Sequence, residues 1–155
     1  MAFNIAIKQL FRQNILRPKG YFQLRGNYFS NINMSEQPAK SIMFDSLKEK
    51  ILNKKIILID VREPKELKDD GKIPCSVNIP LGQIADAFQL PNSEFQKRYG
   101  IEKPSESHDF VITCRSGRRA TTAFQKLLPL GYKNILVYSG SFEDWKSRGG
   151  PIEKD

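Results

Sequence analysis

The sequence predicts an α/β fold built on a parallel sheet with helices on both faces. KKIILIDVR, DFVITC and KNILVYSG each hold a short unbroken apolar run instead of an alternating one, as strands buried on both sides do. Segments with helix caps and stops stand between them, so strand and helix alternate along the chain. At 155 residues the chain suits one domain with an appendage better than two ordinary domains.

The pattern begins near Ser41. FDSLKEKIL reads as a helix capped by Asp45 or Ser46, and IILI as a strand ending at Asp60. REPKELKDDG follows as a helix with Pro64 early and Gly71 just past its end. SVNIP is a shorter run that suits a fourth strand. LGQIADAF and PNSEFQKRYG give two further helices before the FVIT strand. RRATTAFQKLLPLGY is a helix stopped by Gly131, ILVY another strand, and SFEDWKSRGG a closing amphipathic helix with Trp145 as its core anchor. The chain contains no internal repeat and no low-complexity linker.

Hydrophobic residues at 39% and charged residues at 27% describe a soluble globular protein, and no apolar run approaches the roughly 20 residues of a membrane span. The net charge is +8, but Lys8, Arg12, Arg17, Lys19 and Arg25 supply five of it within residues 1–35, which hold no acid. The body is therefore near neutral, which argues against a nucleic-acid partner. On a helical projection Phe3, Ile7, Leu10, Phe11 and Ile15 share an arc that excludes Lys8 and Arg12, and Pro18 and Gly20 would end such a helix. A basic, acid-free amphipathic start is expected of a mitochondrial presequence; a basic tail or a membrane-surface helix is the alternative. The reading is a presequence over 1–35, removed between Arg25 and Ser35, and a domain over 41–153 in the mitochondrial matrix.

Cys75 and Cys114 are too few for a disulfide framework and suit a reducing compartment, and with one histidine they offer no zinc site. No metal and no cofactor are expected. Cys75 reads as an incidental small residue at a strand entrance.

Cys114 is different. It ends the apolar run in DFVITCRSGRRATT, and three arginines follow within five positions with no acid among them. Ligand sites in open parallel sheets lie beyond the carboxyl ends of the strands, where this residue falls. Ser116 and Gly117 permit a tight path on which the backbone N–H groups of Arg115 through Arg119 curl toward the sulfur, and the following helix points its positive end the same way. Such an anion cradle favours a reactive thiolate without a histidine base. His108 cannot serve as one, because six residues of extended strand put it about 20 Å away. The bland reading is a small buried hydrophobe with solvated arginines nearby, but the strand end, the glycine and the arginine cluster coincide here.

A cradled thiolate suits attack on the outer sulfur of thiosulfate, or on phosphate or arsenate. A phosphate cradle commonly places its arginine one position later than Arg119, where this chain has Ala120. The smaller ring from Cys114 to Arg119 favours sulfur. A carrier that receives sulfur from a partner without turnover of its own remains a rival of another class.

Several ordered motifs then carry a resemblance: IDVREPKE at 59–66, GKIPCSVNIPL at 71–81, CRSGRRA at 114–120, LGY at 130–132 and YSGSFEDWKSRGGP at 138–151. Over about Phe44 to Pro151 the chain resembles the single-domain rhodaneses, or thiosulfate sulfurtransferases, of the small mitochondrial type. The resemblance implies a rhodanese-like parallel sheet and a Cys114 persulfide. It also implies a cradle of Arg115, Ser116, Gly117, Arg118 and Arg119, with Asp60 and Arg62 ordering the site, Asp60 as a partner for Arg62 or for backbone N–H groups. Thiosulfate is the implied donor, and glutathione, a thioredoxin-like dithiol protein or cyanide the acceptor. Two departures, Gly71-Lys72-Ile73-Pro74-Cys75-Ser76 where the family often has GHIPGA and Ser141 where it often has a second glycine after Gly140, are read as lying clear of the loop.

Overall fold

The computed structural model describes residues 38–154; the segment read as a presequence lies outside the described residues. Five strands form one sheet: β1 (Lys40–Ile42), β2 (Ile57–Asp60), β3 (Ser76–Asn78), β4 (Phe110–Thr113) and β5 (Ile135–Tyr138). Among the described residues six α-helices are interspersed with them, two in succession between β3 and β4: α1 (Phe44–Leu52), α2 (Pro64–Asp70), α3 (Ile84–Gln89), α4 (Asn92–Tyr99), α5 (Arg118–Leu127) and α6 (Ser141–Ser147). The strand order is β1-β5-β4-β2-β3, and every pairing is parallel.

The unbroken apolar runs are explained by two separate cores. Ile59, Phe110, Ile112, Ile135 and Val137 face a cluster with Ile84 and Phe88 of α3, Phe95 of α4 and Phe124 and Leu127 of α5. Their neighbours Leu58, Val111 and Tyr138 face a second cluster with Phe44, Leu47 and Ile51 of α1 and Phe142 and Trp145 of α6. Successive side chains point to opposite faces, so a strand covered on both sides must be apolar at every position. Trp145 is fully buried, as its place in the closing helix predicts.

Most elements fall where the sequence puts them, with two differences. The three residues of β1 escape sequence reading because Lys40 and Ser41 are exposed and only Ile42 is buried, so this edge strand carries no apolar signature. α1 starts two or three residues earlier than a cap at Asp45 or Ser46 implies: Met43, extended at φ −97° and ψ 161°, precedes the first turn, and Asp45 lies inside that turn instead of capping it. Its acidic charge still complements the helix N-terminus.

The topology creates the crevice for a site. From β2 the chain crosses to β3 at one edge, while from β4 it crosses to β5 on the other side. Ligands bind in open sheets beyond the carboxyl ends of the strands where the order reverses. That point lies between β2 and β4, whose last residues Asp60 and Thr113 are in register.

Candidate active site

Cys114 follows β4 directly, and only 1% of its surface is exposed. The chain turns at once into α5, and the turn depends on Gly117. Its φ is +93°, and a Cβ there would lie 2.2 Å from the Ser139 carbonyl oxygen, so no other residue fits. The turn brings the Gly117 N–H to Cys114 Sγ at 3.1 Å. Among the described residues this is the one loop amide bonded to the sulfur, where the sequence reading expected several from Arg115 through Arg119.

The loop is anchored from behind by α6. Phe142 N–H donates to the Cys114 carbonyl and Glu143 N–H to the Arg115 carbonyl, each at 3.0 Å. Because a trans peptide points its C=O and N–H oppositely, the amides of Arg115 and Ser116 are thereby turned away from α6. Ser141, fully buried at the start of α6, accepts the Cys114 backbone N–H on its Oγ at 3.1 Å and donates to the Tyr138 carbonyl at 2.7 Å. The same Oγ lies 3.7 Å from Cys114 Sγ. The expectation that the departure at Ser141 stays clear of the loop is therefore wrong. Ser141 is 27 residues from Cys114 in sequence, and only the parallel placement of β5 beside β4 brings the start of α6 behind the loop.

The arginines are also not what the local sequence suggests. Arg119 binds Glu66 of α2 in a two-bond fork, Nη1 to Oε2 at 2.5 Å and Nη2 to Oε1 at 2.8 Å. Arg115 donates from Nε to Glu143 at 3.1 Å and lies 3.5 Å from Asp70 and 3.9 Å from Glu66. The cluster is free of acids along the chain but not in space, since α2 and α6 bring theirs to its rim. Arg118 alone of the three has no ion-pair or hydrogen-bond partner for its guanidinium among the described residues, and it is exposed. With Ser116, Arg119 and Thr122 it lines a recess of about 240 Å³.

Glu66 has two tasks. It completes the capping box of α2 by accepting the Glu63 N–H at 3.1 Å. The hydrogen bond from Arg119 holds its carboxyl down, from the ordinary 4.5 to about 2, against the opposing effect of partial burial. Arg119 is raised in turn, chiefly by its hydrogen bond to Glu66.

Asp60 and Arg62 form the floor. Both are fully buried, with Arg62 Nη2 at 2.8 Å from Asp60 Oδ2 and Nε at 2.9 Å from the same oxygen. Asp60 Oδ1 also accepts the Arg62 backbone N–H at 3.0 Å, so both partners expected for this carboxylate are present. Arg62 further donates to the Gly71 carbonyl at 2.9 Å and stacks on Phe142 with its guanidinium carbon 4.0 Å from the ring centre. One side chain thus ties β2 to the end of α2 and to α6. Asn78 was not singled out from the sequence, although a polar residue inside SVNIP was the available signal. Its Nδ2 donates to the carbonyls of Asp60 at 2.9 Å and Arg62 at 2.8 Å and clamps β3 to this corner.

His108 is exposed at the opposite end of β4, with Nδ1 at 3.0 Å from Ser105 Oγ, in keeping with its exclusion as a base. Cys75 is exposed, has φ +61°, and immediately precedes β3. The register places it four residues below the level of Cys114 and two strands away, about 13 Å along the strands and about 10 Å across. Two Cα atoms so far apart cannot be bridged by a disulfide.

The family model described as Rhodanese-like domain matches residues 43–148. The chain belongs to the rhodanese-like domain family. A mitochondrial thiosulfate sulfurtransferase of Saccharomyces cerevisiae is 41% identical over 98 residues, 63% of this chain and 65% of that protein. A thiosulfate:glutathione sulfurtransferase of the same organism is 41% identical over 95 residues, 61% of this chain and 68% of that protein. The structure of a human single-domain sulfurtransferase superimposes with a TM-score of 0.66 at 29% identity, over 72% of this chain and 98% of the other. The rhodanese fold and the enzyme class expected from the sequence agree with these likenesses.

Proposed function

We propose that the chain is a thiosulfate sulfurtransferase working through a persulfide on Cys114. The observation that supports it most is a buried strand-end thiol whose sulfur receives the Gly117 N–H at 3.1 Å, in a loop of the rhodanese-like family. The Cys114 thiolate attacks the outer sulfur of thiosulfate, the S–S bond of the donor breaks, and sulfite leaves with the electron pair. The terminal sulfur of the resulting persulfide is then taken by an acceptor thiolate such as glutathione or a thioredoxin-like dithiol, or by cyanide, and Cys114 returns as thiolate. Glutathione is favoured by the printed activity of the yeast relative.

Arg118 meets the incoming dianion, since its charge is the one of the three not already neutralised, while the Gly117 N–H holds the sulfur. Asp60 and Arg62 keep the floor rigid. Ala120, fully buried in α5, offers no arginine at the position a phosphate cradle uses, which weighs against a phosphatase. The mitochondrial names among the relatives and the acid-free basic residues of 1–35 support import through a removable presequence and a matrix location. Steady-state turnover with thiosulfate across glutathione, a thioredoxin and cyanide tests the reading. Sulfite release that depends on thiosulfate and on at least one acceptor is expected; hydrolysis of an aryl phosphate with no response to thiosulfate would replace it with the phosphatase reading.

A further inference from the structure

Ser141 has no part in the chemistry described so far, yet the fold maintains it under adverse conditions. Its backbone lies at φ +53°, in the left-handed region that disfavours any residue with a Cβ, and its polar side chain is fully buried. Its Oγ stands at a three-way junction: 3.1 Å from the Cys114 N–H it accepts, 2.7 Å from the Tyr138 carbonyl it donates to, and 3.7 Å from Cys114 Sγ. A hydroxyl has one proton, so it can serve the carbonyl or the sulfur but not both at full strength. Rotation about the Cβ–Oγ bond moves that proton from one to the other without displacing a heavy atom.

Which acceptor wins depends on the charge of the sulfur. A thiol or a persulfide with its charge on the outer sulfur leaves Sγ a weak acceptor, and the carbonyl at 2.7 Å keeps the proton. A thiolate makes Sγ an ionised acceptor, and hydrogen bonds to ionised groups are roughly twice as strong as neutral ones. Among the described residues only the Gly117 N–H otherwise donates to this sulfur. We propose that Ser141 is a positioning residue whose hydroxyl proton turns from the Tyr138 carbonyl to Cys114 Sγ whenever that sulfur carries the negative charge. It does so in the thiolate that attacks, and again when the acceptor removes the outer sulfur and Cys114 is released as thiolate. The proton stays on Oγ throughout, so no bond is made or broken. The proposal rests on Cys114 being the nucleophile.

The test compares Ser141→Ala with Ser141→Gly in the full chain. Both remove the hydroxyl, but glycine fits the left-handed backbone and alanine does not, so the pair separates lost hydrogen bonding from strain. Iodoacetamide alkylation of Cys114 at pH 7 is expected to slow about ten- to hundredfold in both variants, the size of one charge-assisted hydrogen bond. The KM for thiosulfate should stay within about twofold of the parent while kcat falls, because the hydroxyl does not contact the donor. Ser141→Gly should also melt at a higher temperature than Ser141→Ala. Alkylation of Ser141→Gly at the parental rate would overturn the proposal and leave Ser141 a structural tie. So would a rise in KM matching the loss of alkylation. Failure of the parent protein to gain one sulfur from thiosulfate would sink the sulfurtransferase reading instead, since alkylation reports on the link between Ser141 and Cys114 without any donor present.

Discussion

Asp60 and Arg62 meet at 2.8 Å with neither side chain exposed, whereas Glu66 and Arg119 meet at the rim of the same crevice with 22% and 31% of their side chains in contact with solvent. Both pairs join an arginine to a carboxylate, but water reaches only the second. In the buried pair each charge depends chiefly on the other, because the Gly71 carbonyl, the Phe142 ring and the Arg62 N–H offer only neutral partners in place of water. At the rim, solvent screens what the pair leaves unsatisfied, and the bond can be weakened without collapse. The buried pair is therefore scaffold, and the rim pair is the one whose charge can be changed without unfolding the domain.

Breaking the buried pair gives the largest effect. Asp60→Asn leaves the Arg62 guanidinium buried beside a neutral amide and is expected to cost about 3–5 kcal/mol, a large part of the total stability of an ordinary domain. A double replacement, Asp60→Leu with Arg62→Met, should cost much less, because no charge is stranded. Urea unfolding midpoints of the two variants check this, and equal losses would show that the pair's charges are not what matters.

The rim pair responds to pH as well as to mutation. Glu66 is lowered from 4.5 to about 2 by Arg119, so between those values the unfolded chain binds the proton and the folded one does not. Its contribution is full above the unfolded value and is lost as pH falls toward 2. Glu66→Gln should lower stability by about 1 kcal/mol or less at pH 7 and flatten the acid side of the stability profile between about pH 4.5 and 2. An acid limb identical to that of the parent would mean the fork does not persist in solution.

The smallest effect separates the arginines. Arg118→Gln should leave the unfolding midpoint unchanged, raise the KM for thiosulfate about fivefold at low salt, and lose that difference as salt rises, as expected of one screened surface charge. Arg115→Gln, whose charge is already met by Glu143 and Asp70, should change KM less. The reverse order would show that the paired arginine does the steering.

These contrasts also mark how far the sequence could be read. FVIT, IILI and ILVY announce buried strands because a parallel sheet forces apolar residues onto both faces, and Cys114 was located by its place at the end of one. β1 was invisible because an exposed edge strand needs no apolar residues. The acids opposite the arginines were missed for a different reason. Glu66 sits in the first turn of α2, where its helix-capping role accounts for its presence, and nothing local signals that the same carboxylate reaches Arg119, 53 residues away. Ser141 was noticed as a departure, but its contact with Cys114 exists only after β5 has paired with β4.

The central claim is that one sulfur atom is carried on Cys114 and on no other residue. Intact-mass measurement after brief exposure to thiosulfate tests it most directly, on the parent, Cys114→Ser and Cys75→Ser. The parent and Cys75→Ser should each gain about 32 Da, one sulfur atom, and lose it again on addition of glutathione, while Cys114→Ser should gain nothing. A mass gain that survives Cys114→Ser, or disappears in Cys75→Ser, would contradict the account.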